Sequence, residues 1–377
     1  MRIKKSFFIH ILLIFIMLFS SFSVTALATE NNNVTPSENQ AEKTENENIN
    51  ENEKEKELNL HAKSCILIER STSRVAYEKN ADEKVYPAST TKLLTAILTL
   101  EHCNLDDTVT ITYEMISKVP KSYTTAYLRP GEQATVEELL NVLLIPSAND
   151  AGFALAIHIS GSVDEFAKLM NEKAKELGCT NSNFNNPCGI HDVNHYSTAR
   201  DMSKIGISAM NYPQIMNIVC KTSYTLHENK YNARRFETTN TLINSQKSNY
   251  YEFANGMKTG YTQQAGACLI ATAKKENMEF LAVILDAPEP TSSVVYRDED
   301  AKTLFEFGFE NYEEITKVDP PQVVDFFSSI YTYISNIMAL KIILITLAAL
   351  FVLVFIMKIS RKNKKSNTSK KKKKSKK

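Results

Sequence analysis

No two cysteines in this chain form a Cys-x-x-Cys pair, and its seven histidines are scattered. Structural metal sites rest on close ligand spacing, so no metal is expected. The six cysteines (Cys65, Cys103, Cys179, Cys188, Cys220, Cys268) also fall short of the dense framework of a disulfide-stapled domain. Their spacing fixes no pairing, and buried thiols are the simpler expectation. No internal repeat is present. Lys358–Lys377 carries twelve Lys/Arg and no acid, and Ile342–Met357 carries no charge at all. Taking the twelve tail charges and the three of Arg2, Lys4 and Lys5 from the whole-chain value of +1 leaves −14 for the remainder. An acidic body argues against a nucleic-acid partner.

The two ends read as targeting and anchoring segments. Arg2, Lys4 and Lys5 precede an apolar run from Phe7 to Phe19, and Ala26-Leu27-Ala28 supplies a small-x-small cleavage site. That is the anatomy of a secretory signal peptide over 1–28, with an uncleaved anchor as the alternative. Residues 29–60 are rich in Glu, Asn, Lys and Thr with almost no large apolar side chains, so a disordered acidic linker is expected. A helix over 337–359 would span about 35 Å, enough to cross a hydrocarbon core if Lys341 and Lys358 snorkel. Phe326, Phe327, Tyr331 and Tyr333 suit a juxtamembrane segment over 316–336. The basic tail, 360–377, is expected in the cytoplasm by the positive-inside rule. The globular body, 61–315, is then expected to be extracytoplasmic on a single-pass anchor.

Within that body, Cys65–Ile68 and Val75–Tyr77 flank a turn and read as a hairpin. Helices are expected over 91–100, 136–144, 150–159, 163–177 and 296–307, with Gly178 ending the fourth. Residues 256–261, 268–273 and 280–285 read as antiparallel strands. Strands at both ends and helices between them imply an α/β (α+β) domain: one antiparallel sheet flanked by helices, with a helical lobe.

Three motifs carry chemistry. In Ser89-Thr90-Thr91-Lys92 the hydroxyl and amine share a helix face, and a lysine of lowered pKa serves as base to a serine nucleophile. The first helical turn would favour developing negative charge at Ser89. Alone, the pattern is equally that of an N-cap serine beside a solvated lysine. In Ser147-Ala148-Asn149 a hydroxyl and an amide meet at a polar loop, and N-capping of the next helix by Asn149 is the alternative reading. In Lys258-Thr259-Gly260, alternation puts Lys258 and Gly260 on one strand face and Thr259 on the other. Glycine there admits a ligand backbone, while an edge-strand lysine discouraging aggregation is the blander reading. The trio in this order is specific where each member is not.

With Tyr86–Ala96, Leu143–Ala151, His195–Asp201 and Gly256–Thr262 around those motifs, the sequence resembles the low-molecular-weight penicillin-binding proteins, the serine-type D-alanyl-D-alanine carboxypeptidases. The resemblance runs from about His61 to Tyr312 and implies a β-lactamase/transpeptidase-like fold. It implies that Ser89 forms an acyl-enzyme on the penultimate D-alanine of a peptidoglycan stem peptide, with Lys92 as general base. Ser147 would relay a proton to the leaving D-alanine, and Asn149 would hold Lys92 and the substrate. Lys258 would supply positive potential, and Thr259 would bind the terminal carboxylate. Gly260 would bring the strand close, and the N–H groups of Ser89 and Tyr261 would form the oxyanion hole. No cofactor is implied, and β-lactam antibiotics are the expected inhibitors. Cys188 stands where many relatives carry histidine, and Tyr261 where some do. Too few residues separate Tyr312 from the anchor for the further β-rich domain of many relatives. A class A β-lactamase would need a deacylating glutamate, and Phe184–Ile190 contains no Glu-x-x-x-Asn. A silent wall-binding scaffold on the same fold is the other alternative.

Overall fold

The computed structural model describes residues 58–227, 233–291 and 294–317, together with Thr346. The expected leader, most of the linker, the juxtamembrane segment beyond 317, the span over 337–359 apart from Thr346, and the basic tail lie outside the described residues. Among the described residues no helix is long and apolar enough to cross a membrane.

Five antiparallel strands form the central sheet. They are β1 (Ser64–Glu69), β2 (Val75–Lys79), β7 (Ala254–Thr262), β8 (Gly266–Lys275) and β9 (Met278–Ala287), in the order β2-β1-β9-β8-β7. The expected hairpin is β1–β2, with Leu67 opposite Tyr77. Its turn is fixed by Glu69, whose buried carboxylate accepts from the backbone N–H and hydroxyl groups of Ser71 and Thr72. Two small ribbons, β3 (Thr108–Thr110) with β4 (Gln133–Thr135) and β5 (Ser223–Leu226) with β6 (Arg234–Glu237), stand apart from the sheet.

Period-two alternation divides the core. Ile66, Ile68, Ile270, Leu281 and Val283 face the helical lobe. Cys65, Leu67, Leu269, Ala271 and Ile284 face the other way, toward Leu304, Phe305 and Phe309. The lobe contains α1 (Lys92–His102), α2 (Tyr113–Ser117), α3 (Val136–Leu144), α4 (Asn149–Ser160), α5 (Val163–Glu176), α6 (Ala199–Met210) and α7 (Pro213–Val219). On the far face lie α8 (Tyr296–Glu310) and the short α9 (Tyr312–Thr316). Local sequence explains the helix starts: Thr135, Ser162 and Thr198 each accept a backbone N–H of the first turn. α1 runs through the lobe's centre with Lys92 to Thr99 all buried, which is why its sequence shows so little polar face.

The domain begins slightly earlier than His61. Leu58 and Leu60, assigned above to the linker, pack into the α8-side core, because Asp300 fixes this strand of chain by accepting from the N–H groups of His61 and Ala62. All six cysteines are free thiols, four of them buried.

One glycine sets the position of a loop that matters below. Gly189 has φ +73°, and a Cβ there would lie 1.7 Å from the carbonyl oxygen of Ala88. The 186–190 loop therefore seats directly against the chain entering α1 only if position 189 lacks a side chain. Gly189→Ala is expected to cost more than about 2 kcal/mol, from backbone strain and the forced displacement of Ala88. Thermal unfolding checks this, and an unchanged Tm would mean that the loop does not pack on Ala88.

Candidate active site

Ser89 lies on a single 3-10 turn, Ala88–Thr91, that leads into α1. The sequence reading placed it in the α-helix's own first turn; the helix starts three residues later, at Lys92. Ala88 enters the turn with φ +47°, a left-handed conformation that an alanine adopts only under constraint. Lys92 is fully buried. Its Nζ lies 2.8 Å from Ser89 Oγ, 2.9 Å from Asn149 Oδ1 and 3.1 Å from the carbonyl oxygen of Cys188.

An ammonium has three donors, and here each meets an oxygen. A neutral amine has two donors and a lone pair. Asn149 Oδ1 and the Cys188 carbonyl only accept, so the lone pair of the neutral form is left for the proton of Ser89. The site is thus satisfied in both protonation states. Burial pushes the Lys92 amine down to about 8, against weaker opposing influences from Cys188 and Asp150.

The Ser147-Ala148-Asn149 segment joins α3 to α4. Asn149 is the first residue of α4 rather than its cap, and the cap position, Ala148, offers no side-chain bond. The Asn149 side chain is committed elsewhere: Oδ1 to Lys92, Nδ2 to the Thr124 carbonyl at 2.8 Å. Ser147 is held at φ +67° and borders the cavity.

From the other side comes β7, the sheet's edge strand. A Cβ on Gly260 would stand 2.9 Å from the backbone nitrogen of Ser89, so strand and turn meet backbone to backbone. The ideal alternation expected above is incomplete here. Thr259 and Gly260 both border the cavity, the first by its side chain and the second because it has none. Thr259 Oγ1 shares a short hydrogen bond with Thr239 Oγ1. Lys258 lies behind the wall, fully buried, with Nζ 2.9 Å from the Thr259 carbonyl. Its amine is driven well below the ordinary lysine value by burial first, then by the charges of Lys92 and Arg297. Tyr261 follows at the rim, 42% exposed.

The cavity between these elements is about 710 Å³, lined by Ser89, Ser147, Asn149, Thr259, Gly260 and Arg297 among others. Every side chain singled out in the three motifs thus lies in this wall or directly behind it. Sequence reasoning missed Arg297, Thr239, the Thr124 carbonyl and the structural use of Cys188. Arg297 stands in the first turn of α8, with Nη1 3.3 Å from the Gly260 carbonyl. It belongs to no local motif, and only the fold brings it to the cavity.

His191 and His195 are four residues apart in the sequence. They share no helix face. His195 is buried, its Nε2 on Thr91 Oγ1 at 3.0 Å and its Nδ1 accepting from Asn185 N at 3.1 Å, while His191 packs edge-on against Tyr86. Burial pushes the His195 imidazole down to about 4, so it stays neutral as a spacer between α1 and the 186–190 loop. Among the described residues no three potential ligands gather into a metal site.

The D-alanyl-D-alanine carboxypeptidase family, Peptidase S11, matches residues 49–289. The chain is 39% identical over 259 residues to the D-alanyl-D-alanine carboxypeptidase DacF of Bacillus subtilis, which covers 67% of this chain and 63% of that relative. The chain thus spans less than two thirds of that relative's length. Among solved structures it resembles the DD-transpeptidase of Streptomyces K15, with TM-score 0.61 and 30% identity over 67% of this chain and 98% of that one. It also resembles penicillin-binding protein D2 of Listeria monocytogenes in its ampicillin-bound form, with TM-score 0.57 and 28% identity over 67% of this chain and 99% of that one. The fold is therefore that of the penicillin-binding DD-peptidases, and the chain belongs to the D-alanyl-D-alanine carboxypeptidase family, Peptidase S11.

Proposed function

We propose that this chain is a serine-type D-alanyl-D-alanine carboxypeptidase that removes the terminal D-alanine of peptidoglycan stem peptides. The observation that carries the reading is the buried Lys92 amine, lowered to about 8 and 2.8 Å from Ser89 Oγ at the floor of an open cleft. Ser89 Oγ attacks the carbonyl carbon of the penultimate D-alanine as its proton passes to Lys92 Nζ. The negative oxygen that develops is assigned to the N–H groups of Ser89 and Tyr261. β7 is an edge strand, so alternate N–H groups along it are turned away from β8. Donors of this kind typically lower a barrier by about 3 kcal/mol each. The C–N bond then breaks, and the proton travels from Lys92 through Ser147 Oγ to the departing amine. Water attacks the ester with Lys92 again as base, the C–O bond to Ser89 breaks, and Ser89 recovers its proton.

The terminal carboxylate is assigned to Thr259 and Arg297. Arg297 is a permanent cation at the cavity wall, and its guanidinium offers paired donors that match a carboxylate. Lys258 is buried behind the wall and ties β7 through the Thr259 carbonyl, 2.9 Å from its Nζ. The β-lactamase alternative is disfavoured because the 184–190 segment contains no glutamate to act as its deacylating acid. Attack by an amine instead of water would give transpeptidation from the same acyl-enzyme, as the likeness to the Streptomyces transpeptidase suggests. We further place the enzyme outside the cytoplasm on its C-terminal anchor, on the strength of the uncharged run Ile342–Met357 and the basic tail behind it.

Three tests follow from this scheme. Benzylpenicillin should leave one persistent penicilloyl adduct by intact-mass analysis, absent from Ser89→Ala; a folded protein with no adduct and no penicillin hydrolysis would return the chain to a scaffold role. The rate constant of that acylation should rise about tenfold per pH unit below about pH 8 and level off above it, as Lys92 loses its proton. A rate flat from about pH 5.5 to 9.5 would remove Lys92 as the base. Arg297→Gln should raise KM for a peptide ending in D-alanyl-D-alanine by about tenfold or more, the loss of one charge-assisted contact. An unchanged KM would take Arg297 out of carboxylate binding.

A further inference from the structure

The catalytic cleft does not end at Ser147 and Asn149. Ser122, Tyr123 and Thr124, which line it, also line a second cavity of about 530 Å³ on the far side of the same loop. That volume falls within the range of about 300–1,000 Å³ occupied by ligand clefts. Its wall includes Lys121, Ser122, Tyr123, Thr124, Thr125 and Tyr127. Hydroxyls and two phenol rings stand there beside Lys121, the Asp150 carboxylate and apolar side chains such as Val119 and Leu128, a mixed surface suited to a ligand with polar edges and apolar faces.

Tyr127 is the informative residue. A singly exposed aromatic side chain is ordinary. This one is 69% exposed on a backbone that is anything but free. Its φ is +56°, a conformation that tyrosine rarely adopts. The N–H groups on either side of it, of Ala126 and Leu128, both donate to the buried Asp150 carboxylate, at 2.8 and 3.0 Å. Its own carbonyl accepts from Arg234 Nη1 at 2.7 Å. Asp150 directly follows Asn149, whose N–H and side-chain amide both donate to the Thr124 carbonyl. Asn149, which accepts from Lys92, and Asp150 after it thus clamp the backbone that carries the exposed Tyr127 ring.

The geometry points to a second binding site: this groove takes the glycan that bears the stem peptide, with Tyr127 stacking on a sugar ring and the Ser122, Thr124 and Thr125 hydroxyls bonding its polar edges. The assignment rests on the D,D-carboxypeptidase reading above. A tyrosine supplies a large, stiff contact surface that loses little entropy on binding. The acyl part of the substrate must leave the cleft and reach its sugar through a few residues, each spanning at most about 3.6 Å. A groove that shares a wall with the cleft lies within that reach. The cleft's other side groove, shared through Tyr261, Gln263 and Glu289, is bordered by Asp286 and Glu289 and would repel carboxylates along an unamidated stem. The Tyr127 groove carries one charge of each sign, Lys121 and the buried Asp150, and so lacks that excess of carboxylates.

The test compares kcat/KM of the full chain on a disaccharide-linked pentapeptide and on the same pentapeptide without sugar. Tyr127→Asn removes the ring while keeping a residue that tolerates left-handed φ. It should lower kcat/KM about tenfold on the sugar-linked substrate and leave the free pentapeptide unchanged, with Tyr127→Phe close to the parent on both. Equal losses on both substrates, or no loss on either, would overturn the glycan site while leaving the carboxypeptidase reading in place. Failure of the parent protein to cleave the free pentapeptide would instead sink that reading.

Discussion

The site depends on one buried amine. Lys92 has given up all contact with water, and three oxygens, two of them from remote parts of the chain, replace its hydration shell. The 3-10 turn brings Ser89, the α3–α4 junction brings Asn149, and the 186–190 loop brings the Cys188 carbonyl. A buried cation without such partners would cost several kcal/mol. With them the amine remains buried, and what shifts is its proton affinity. The same desolvation that threatens stability therefore makes Lys92 a base near neutral pH, and each of the three oxygens becomes a constraint on the fold.

Those constraints explain why strain gathers here. Ala88 and Ser147 hold left-handed backbones on either side of the cleft, and non-glycine residues in that region cost about 1–3 kcal/mol each. Both flank close approaches. The Ala88 carbonyl has Gly189 against it, and the Ser89 nitrogen has Gly260 against it. Replacing the glycines would relieve nothing, because the space is needed to keep the turn within reach of both β7 and the 186–190 loop. Cys188 fits the same logic. Its thiol packs where a Cβ on Gly152 would lie only 2.4 Å away, and burial raises it to about 11. What it supplies to Lys92 is its carbonyl, so the amine's hydrogen bond here does not depend on the side chain at this position.

Much of this was legible in the sequence, for identifiable reasons. The helix over 136–144 was placed to the residue because Thr135 and Glu138 form a capping box and the apolar run stops at Ile145-Pro146. The strands over 256–261, 268–273 and 280–285 were found short by one or two residues at each end, since their flanks include Lys275 and Asp286, which sequence pattern treats as loop. Ser89 with Lys92 was visible because residues three apart meet locally whatever the fold does. Arg297 and Thr239 were not, because their contribution comes from α8 folding back over β7 and from Thr239 reaching Thr259, contacts with no local periodicity. The extra turn at Ala88–Thr91 was also hidden. Ser-Thr-Thr carries no signal that separates a 3-10 turn from the first turn of an α-helix.

A cost remains that the structure carries as a whole. Unfolded, a lysine titrates near 10.5; folded, Lys92 titrates near 8. Between those values the unfolded chain binds the proton that the folded chain has released, so stability rises with pH across that window. Below about pH 8 both states are protonated and the full penalty applies, about 3 kcal/mol for this one group. Lys258 is depressed as well and adds to the same side of the balance. A domain whose margin is only about 5–15 kcal/mol must therefore recover the loss elsewhere, and it does so away from the cleft. The sheet is covered on both faces, with aliphatic side chains toward α1 and Phe280 toward Phe305 and Phe309 of α8. The two-sided core is what allows a charged amine to sit at the centre of the molecule, and the depressed amine is in turn what the chemistry needs.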